Sequence, residues 1–288
     1  MVVSCRAAVV LLVAASSLAV VLAHTDGHEG PEFTYISGAI DGPENWGKLS
    51  PEYKLCGDGK SQSPIDISTQ TVVPRSDLES LERTYAAGNA TLINNGKDIT
   101  ASHPPPAMFE GKVGEVSIMG KVYGFHVIHW HAPSEHTING KRFPLELHLV
   151  HKCEADGSLA VISVLYKIGA PDSFYLQLKD HLAELGADEC DFSKEDSHVA
   201  AGVVQLRSLQ KRTGSYFRYV GSLTTPPCSE NVVWNVLGKV REIGKEQLDL
   251  IMAPLPSKDA RPAQPLNGRT VFFYNPPNTT VSFQEYSN

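Results

Sequence analysis

The sequence predicts a single, mostly β domain with few helices. Many short segments are rich in β-branched and aromatic residues, and clusters of glycine, proline, asparagine or aspartate separate most of them. Only two segments have the pattern of a helix. The chain has 288 residues, of which 42% are hydrophobic, and this composition excludes a disordered chain, a collagen and a coiled coil. We find no internal repeat and no long linker, so one sheet-dominated domain is expected.

The predicted elements follow from local composition. Strands are expected over residues 121–130, 145–150, 159–167, 216–219, 231–236 and 270–274. A helix is expected over 173–185, because Pro171 and Asp172 suit a helix start. A second helix is expected over 245–252, and Pro254 follows its end.

Residues 1–23 have the pattern of a secretory signal peptide. Arg6 precedes an apolar run over 7–20, and the stretch ending at Ala23 offers small residues for cleavage. A membrane anchor is the alternative, but the run is shorter than the roughly 20 apolar residues that a spanning helix needs. We therefore expect a secreted, extracellular protein with no membrane segment in its mature form. Its expected parts are a loose segment (24–31), the folded domain (32–276) and a tail (277–288).

Charge and cysteine content indicate which partners and covalent bonds to expect. The net charge of −7 leaves no basic surface for nucleic acid, so no nucleic-acid partner is expected. An even number of cysteines remains after the signal peptide, which favours disulfides in a secreted chain and allows three pairings. These are Cys56, Cys153, Cys190 and Cys228. Asn89 and Asn278 begin glycosylation sequons.

Two histidine-containing strands suggest a metal site. Alternate side chains of a strand share a face, so His129 lies beside His131, and Glu146 lies beside His148. If the strands are neighbours, three imidazoles can converge. Three neutral imidazoles with a fourth position open form a catalytic zinc site, although imidazole also suits copper, iron or nickel. The Glu146 carboxylate can accept a hydrogen bond from the ring nitrogen of His148 that does not bind the metal. His136 and His151 flank the two strands and are expected to be structural.

A cupin is a rival interpretation of part of this pattern. His129, His131 and Glu135 fit the spacing of the cupin ligands for iron or manganese. However, the glycine expected after the glutamate is misplaced, and the downstream Pro-x-Gly-x-x-His motif does not occur.

Further motifs accompany the histidines in a fixed order. They are Gly-Pro-Glu-Asn-Trp-Gly at 42–47, Gln-Ser-Pro-Ile-Asp-Ile at 62–67, Gly-Ser-Leu-Thr-Thr-Pro-Pro-Cys-Ser-Glu at 221–230, Val-Val-Trp at 232–234, and Arg-Pro with Gln-Pro-Leu-Asn-Gly-Arg within 261–269. Together they resemble the α-class carbonic anhydrases over nearly the whole chain, from about Phe33 to Asn275. The opening Glu32-Phe33-Thr34-Tyr35 is similar to that of secreted plant members. The resemblance implies one domain around a large, mainly antiparallel twisted sheet, with Zn²⁺ at the bottom of a conical cleft.

The resemblance also implies a reaction and its residues. His129, His131 and His148 match the zinc ligands. Thr224 matches the residue that accepts a hydrogen bond from zinc-bound hydroxide and donates one to a buried glutamate, which Glu135 matches. The implied reaction is the reversible hydration of carbon dioxide to bicarbonate and a proton, by attack of that hydroxide.

Other matched positions concern the substrate and the disulfide. Thr225 matches a neighbour of the bound substrate. Five residues match the apolar wall against which carbon dioxide sits in the family. They are Val150, Val161, Leu223, Val232 and Trp234. Cys56 and Cys228 match the disulfide of secreted members, whereas Cys153 and Cys190 lie outside that pattern and are expected to be free, with a second bridge possible.

Two positions depart from the family pattern. Lys97 stands where fast members have a proton-shuttle histidine, and a lysine stays protonated near neutral pH, so turnover is expected to be limited by proton transfer. His126 aligns with a cleft-lining position and is a candidate shuttle, although strict alternation would direct it away from the zinc. Val127 stands where many members have a glutamine bonded to the first zinc ligand, and valine cannot make that bond.

These departures leave a second function class open. Plant relatives include dioscorin-like tuber storage proteins, in which the zinc ligands are degraded. A storage or binding protein with weak or no activity is therefore the alternative to an enzyme. Some plant relatives also reach the chloroplast through the secretory path, so that destination is the alternative to the extracellular space.

Overall fold

The computed structural model describes residues 31–94, 107–109, 112–187, 197–210, 214–254, 258–277 and 286. The predicted signal peptide, Lys97, Cys190 and Asn278 lie outside these residues. The helices are α1 (Trp46–Leu49), α2 (Leu55–Asp58), α3 (Ser173–Ala187) and α4 (Lys245–Met252), with short 3₁₀ helices at Pro51–Tyr53 and Leu206–Gln210. The strands are β1 (Asp66–Ile67), β2 (Val73–Pro74), β3 (Glu82–Arg83), β4 (Ala87–Asn94), β5 (Ala107–Phe109), β6 (Glu115–Ile118), β7 (Lys121–His131), β8 (Thr137–Ile138), β9 (Lys141–Arg142), β10 (Leu145–Lys152), β11 (Leu159–Ile168), β12 (Ser197–Gln205), β13 (Tyr216–Ser222), β14 (Glu230–Leu237), β15 (Arg241–Ile243) and β16 (Phe272–Tyr274).

The prediction of a mostly β domain is confirmed. Each of the six predicted strands and both predicted helices is present, with ends that move by a few residues. The longer strands β4 and β12 were not predicted, because each contains alanine and glycine, which have low β propensity, and neither is an unbroken run of β-branched and aromatic residues. They form because they pair with each other over their whole length, from Ser197 opposite Asn94 to Gln205 opposite Ala87.

One large sheet dominates the described residues. Its main strand order is β12-β4-β5-β7-β10-β11-β14-β13-β16-β2, and β1, β8 and β9 form a small separate sheet. Most neighbours in the large sheet are antiparallel, but β14 and β15 pair with β11 in parallel, and β2 pairs with β16 in parallel. The sheet is therefore mixed, and mainly antiparallel as expected.

Apolar side chains collect in two separate clusters on the large sheet. The major core contains Trp130, Leu147 and Ile162 from the central strands, together with Phe174 and Leu178 of α3. The apolar residues of α3 recur at the three- and four-residue spacing of a helix that packs one face against a sheet. The minor core contains Val150, Val161, Phe217, Val232 and Trp234. Alternation along β10 sends Leu147 to the major core and Val150 to the minor one.

The register of β7 and β10 positions the histidines. His129 lies directly opposite His148, and His131 lies directly opposite Glu146. Opposite residues of an antiparallel pair share a face and are close neighbours. The two histidine-bearing strands are therefore neighbours, which is the condition under which three imidazoles can converge.

Candidate metal centre

Three imidazoles converge at the centre of the sheet. The nitrogen atoms that His129, His131 and His148 can offer to a metal lie within 4.8 Å of one another. Nε2 of His129 and Nδ1 of His148 are 3.0 Å apart. His131 and His148 are fully buried, and His129 is half-buried. The described residues thus contain a histidine triad that can bind a metal.

Hydrogen bonds orient two of the three rings. Nδ1 of His131 donates to the backbone carbonyl of Asp259 at 2.7 Å, so Nε2 carries the lone pair. Nε2 of His148 donates to Oε1 of Glu146 at 2.7 Å, which leaves Nδ1 for a ligand. Burial lowers the pKa of His148 to about 4, despite the opposing carboxylate of Glu146. A neutral imidazole is the form that binds a metal.

Glu146 is the acceptor for most of the polar groups behind the triad. Its Oε1 accepts from Nδ1 of His136 and the Ser163 hydroxyl, each at 2.6 Å, in addition to His148. Its Oε2 accepts the backbone N–H groups of Glu135 and His136. Burial alone would raise the pKa of Glu146, but His136 and His148 outweigh burial and hold that pKa well below its usual range.

His136, Glu146 and His148 form a second set with metal-ligand spacing. Hydrogen bonds among these side chains explain why they lie so close together without a metal. Because Nδ1 of His136 donates to Glu146, its Nε2 accepts from the hydroxyl of Tyr219 at 2.6 Å. The oxygen of Tyr219 lies 2.8 Å from Oγ of Ser63, which continues the chain of hydrogen bonds. His136 is therefore held as a structural residue.

Glu135 lies on the Nε2 side of His131. Its Oε2 is 3.4 Å from that nitrogen, and its Oε1 accepts the backbone N–H of Arg261 at 3.0 Å. Burial and the neighbouring Glu146 raise the pKa of Glu135 to about 7, while hydrogen bonding from the Thr224 side chain lowers it. Glu135 and Thr224 are thus neighbours beside the triad, and both are buried.

The loop that carries Thr224 is held at both ends. Leu223 donates its N–H to the carbonyl of Ser229, and Cys228 donates to the carbonyl of Thr225. Cys228 also forms a disulfide with Cys56. The predicted pairing is therefore confirmed, and it ties this loop to the amino-terminal helices. Cys153 is a buried free thiol.

The residues of the implied apolar wall come together. Val150, Val161, Val232 and Trp234 belong to the minor core, and Leu223 packs against it. The ring of Trp234 lies 4.8 Å from that of His148, measured between centroids. Thr225 is half-buried on the neighbouring loop. An apolar surface therefore directly adjoins the triad.

Alternation along β7 is interrupted at His126. Val127 lies opposite Val150, but Phe125 lies opposite His151, so a β-bulge leaves His126 as the extra residue of β7. Its side chain is exposed. Val127 is half-buried against the minor core. Asn89 is exposed on β4.

Several residues around the site were not singled out from the sequence. Asp259 contacts His131 through its backbone carbonyl, and burial raises the pKa of its side chain to about 7. Tyr219 and Ser163 extend the network around Glu146. A motif contained Arg261, but its bond to Glu135 was not anticipated. These contacts join residues far apart in the sequence, so no local pattern identifies them.

The donor set fits a divalent metal with nitrogen ligands. Nε2 of His131 is buried and has no hydrogen-bond partner among the described residues. Other buried nitrogens also have no partner among these residues, but this one lies within the triad, where its lone pair is available to a ligand. Three imidazoles with a free fourth position suit a catalytic zinc site, and other imidazole-binding metals fit the same atoms.

Comparison with known proteins decides the family. A profile described as eukaryotic-type carbonic anhydrase matches residues 41–275. The chain belongs to the carbonic anhydrase family. This assignment excludes the cupin alternative. Alpha carbonic anhydrase 7 of Arabidopsis thaliana is 40% identical over 256 residues, which cover 88% of each chain. Dioscorin DB3L of Dioscorea polystachya is 39% identical over 247 residues, which cover 84% of this chain and 86% of the other.

Solved structures of carbonic anhydrases and dioscorin share the fold. A crystal structure of dioscorin complexed with ascorbate has a TM-score of 0.78 and 37% identity, covering 86% of this chain and 100% of that chain. An α-carbonic anhydrase from Thermovibrio ammonificans, solved with the inhibitor sulfanilamide, has a TM-score of 0.71 and 35% identity, covering 84% and 100%. The curled, mainly antiparallel sheet is thus the carbonic anhydrase fold.

Proposed function

We propose that this chain catalyses the reversible hydration of carbon dioxide with zinc held by His129, His131 and His148. The observation that carries the proposal is the convergence of three imidazole nitrogens within 4.8 Å of one another. An apolar surface and the Glu135–Thr224 pair adjoin the triad. Zinc in such a site lowers the pKa of a water molecule to about 7 and so supplies a nucleophile at neutral pH, with carbonic anhydrase the standard example.

Thr224 and Glu135 orient the attacking water. The Thr224 hydroxyl has one proton, and donation to the Glu135 carboxylate leaves its oxygen free to accept from that water. This direction aligns a lone pair of the water with the substrate. Burial of Glu135 behind Thr224 keeps solvent from competing for the same hydrogen bond.

The minor core supports a position for the substrate beside the triad. Carbon dioxide is apolar, and Val150, Val161 and Trp234 give it a surface beside the triad. Leu223 and Val232 complete this wall, and Thr225 contacts the bound substrate from the loop. Product leaves when water replaces bicarbonate in the same place.

Proton removal limits turnover in this proposal. In sequence, Lys97 matches the position of the shuttle histidine in the family, and a lysine keeps its proton near neutral pH, so we propose that the proton passes to external buffer. Exposed His126 is the second candidate acceptor. The test is stopped-flow carbon dioxide hydration on zinc-assayed protein over a range of buffer concentrations, for the wild type and Lys97→His. The wild-type rate should climb with buffer, and Lys97→His should raise it in dilute buffer.

The outcomes of this test separate the parts of the proposal. A fast wild-type rate that does not depend on buffer would keep the enzyme but discard Lys97 as the cause of slow proton transfer. His126→Ala would then show whether His126 carries the proton. No rate in protein with one zinc bound would remove the proposed activity.

A storage or binding role is the second candidate. Dioscorins are among the similar proteins, and one was solved in complex with ascorbate. The intact triad favours an enzyme over a storage protein, because all three imidazoles can still offer nitrogen atoms to one metal. Zinc-free protein without hydration activity, abundant in a storage organ, would favour this second role.

We further propose a secreted protein in which residues 1–23 are removed and residues 32–276 form the domain. No helix within the described residues is long and apolar enough to cross a membrane. Asn89 is exposed and Asn278 lies in the tail, and both are proposed glycan sites. Amino-terminal sequencing and glycopeptide mass spectrometry of protein from a plant secretory host test these points.

A further inference from the structure

A buried carboxylate lies on the Nδ1 side of His131. Asp259 is 1% exposed. Its backbone carbonyl accepts the Nδ1–H of His131 at 2.7 Å. Its Oδ1 accepts the backbone N–H of Ala132 at 2.8 Å. Its Oδ2 lies 3.6 Å from Nδ1 of His131 and has no hydrogen-bond partner among the described residues.

The fold alone does not account for Oδ2. The carbonyl suffices to fix the tautomer of His131, and Oδ1 suffices to satisfy Ala132. A buried carboxylate oxygen without a partner costs free energy unless a positive charge compensates it. The nearby guanidinium of Arg261 is directed elsewhere, because its two terminal nitrogens donate to Gln62, Ser63 and Cys56. Within the described residues, Oδ2 faces the Nδ1–H edge of the neutral His131 ring.

We propose that Asp259 is a positioning residue whose carboxylate strengthens the binding of the metal by His131. This inference rests on the proposed function, since it requires a metal at the triad. A metal on Nε2 draws electron density from the ring and makes Nδ1–H more positive. The adjacent carboxylate stabilises that polarised ring, in the way that carboxylate–histidine–metal groups raise ligand basicity.

The arrangement parallels that at His148 but uses different atoms. Glu146 contacts Nε2 of His148 with its carboxylate directly at 2.7 Å. At His131 the backbone carbonyl makes the direct bond, and the carboxylate of the same residue adds its charge at 3.6 Å. Charge and hydrogen bond are thus separable at His131, and one substitution can remove the first while keeping the second.

Asp259→Asn is that substitution. Its amide oxygen can still accept from Ala132 and its backbone carbonyl can still accept from His131, while an uncharged amide group replaces the carboxylate beside the ring. Zinc release is measured at a pH well above 7, where the carboxylate of the wild type is ionised, because burial raises the pKa of Asp259 to about 7. We expect zinc to dissociate about 10-fold faster, at the lower end of the range for groups behind a metal ligand. Dissociation is followed by transfer to a chelator, and the visible spectrum of the cobalt-substituted protein reports the ligand field. A merely structural role would change neither in a folded variant.

Asp172→Asn is the matched control. Asp172 is also a buried aspartate that accepts a backbone N–H, in this case from Phe174, and it pairs with Arg241 away from the triad. Its substitution should leave zinc dissociation unchanged. If Asp259→Asn dissociates at the wild-type rate, or no faster than Asp172→Asn, the inference is overturned. Should Asp259→Asn not fold, Asp259→Ser removes the same charge, and the same acceleration is expected.

The two proposals fail in different ways. Wild type that holds zinc and hydrates carbon dioxide, with Asp259→Asn unchanged in zinc release, overturns only the role of Asp259. Wild type that holds zinc but has no hydration activity, with faster release from Asp259→Asn, supports the role of Asp259 and removes the proposed activity. Wild type that binds no zinc overturns both.

Discussion

The two faces of strands β7 and β10 differ in how their side chains are held. On one face, Trp130 and Leu147 pack in the major core with α3, and the centroid of the Trp130 ring lies 6.4 Å from that of Tyr175. On the other face, His131 and His148 are equally buried, but directed hydrogen bonds hold them. The side chains of the first face are held by how well their volumes fill the core. Those of the second face are held by the directions of their hydrogen bonds. Substitutions on the two faces should therefore separate stability from metal binding.

The largest effect is expected from His129→Ala on the polar face. Loss of one of three nitrogen ligands should weaken zinc binding by more than the roughly 100-fold upper range for groups behind the ligands, and hydration should fall to background. Zinc content after gel filtration and stopped-flow hydration check both. His198→Ala is the control, because His198 is exposed on β12. Retention of zinc and activity by His129→Ala would contradict the assignment of the triad.

Thr224→Ala tests the direction of hydrogen bonding on the same face. We expect turnover to fall by roughly 10²–10³-fold, as for other single groups that orient reacting atoms, while zinc stays bound. Thr224→Ser keeps the hydroxyl and should retain most of the activity. Equal losses in the two variants would show that the methyl group matters rather than the hydroxyl.

Leu147→Ala makes the opposite test on the apolar face. Leu147 is fully buried. Its truncation should reduce the free energy of unfolding by about 2–5 kcal/mol through lost contacts and a cavity. Zinc dissociation should stay within about 2-fold of wild type. Leu176→Ala, at a residue 54% exposed, should cost less than about 0.5 kcal/mol in the same urea titrations. A change in zinc dissociation comparable to that of Asp259→Asn would show that the two faces are coupled.

The triad could be predicted because it depends on local rules. Alternation puts residues i and i+2 on one face, and two such pairs needed only adjacent strands to converge. The family motifs then supplied Thr224, Glu135 and the disulfide. The contact of Asp259 with His131 spans 128 residues of sequence and follows from no repeat or spacing.

Local patterns were less informative at two places in the sheet, for identifiable physical reasons. One extra residue in β7 interrupts alternation at His126, and nothing in the composition of that strand signals a bulge. Strands β4 and β12 were missed because pairing with a neighbour, rather than their own propensity, makes them strands. Local patterns thus determine which face a residue occupies only where the register is regular.

His151, on the apolar face, should make the stability of the protein depend on pH. It is fully buried against Tyr85 and Phe125, and burial lowers its pKa to about 3. In the unfolded chain the imidazole takes up a proton below about pH 6.5, whereas the folded protein does not. Stability should therefore fall as the pH drops from about 6.5 toward 3, by about 2 kcal/mol at pH 5 from this residue. Urea titrations at pH 7 and pH 5 should show a loss smaller by that amount in His151→Gln, and an equal loss would refute the contribution.

Val127→Gln should give the smallest effect and the closest comparison between packing and hydrogen bonding. Val127 lies two residues before His129 on the same strand and packs against the minor core, so it contributes volume but no hydrogen bond to the site. A glutamine adds an amide oxygen that can accept from the His129 ring, and zinc should dissociate roughly 10-fold more slowly. Val127→Met adds similar length without the amide and should leave dissociation unchanged. If both variants slow zinc release equally, packing around His129 controls how tightly the metal is held. The contrast between an apolar face held by packing and a polar face held by hydrogen bonds would then not apply to His129.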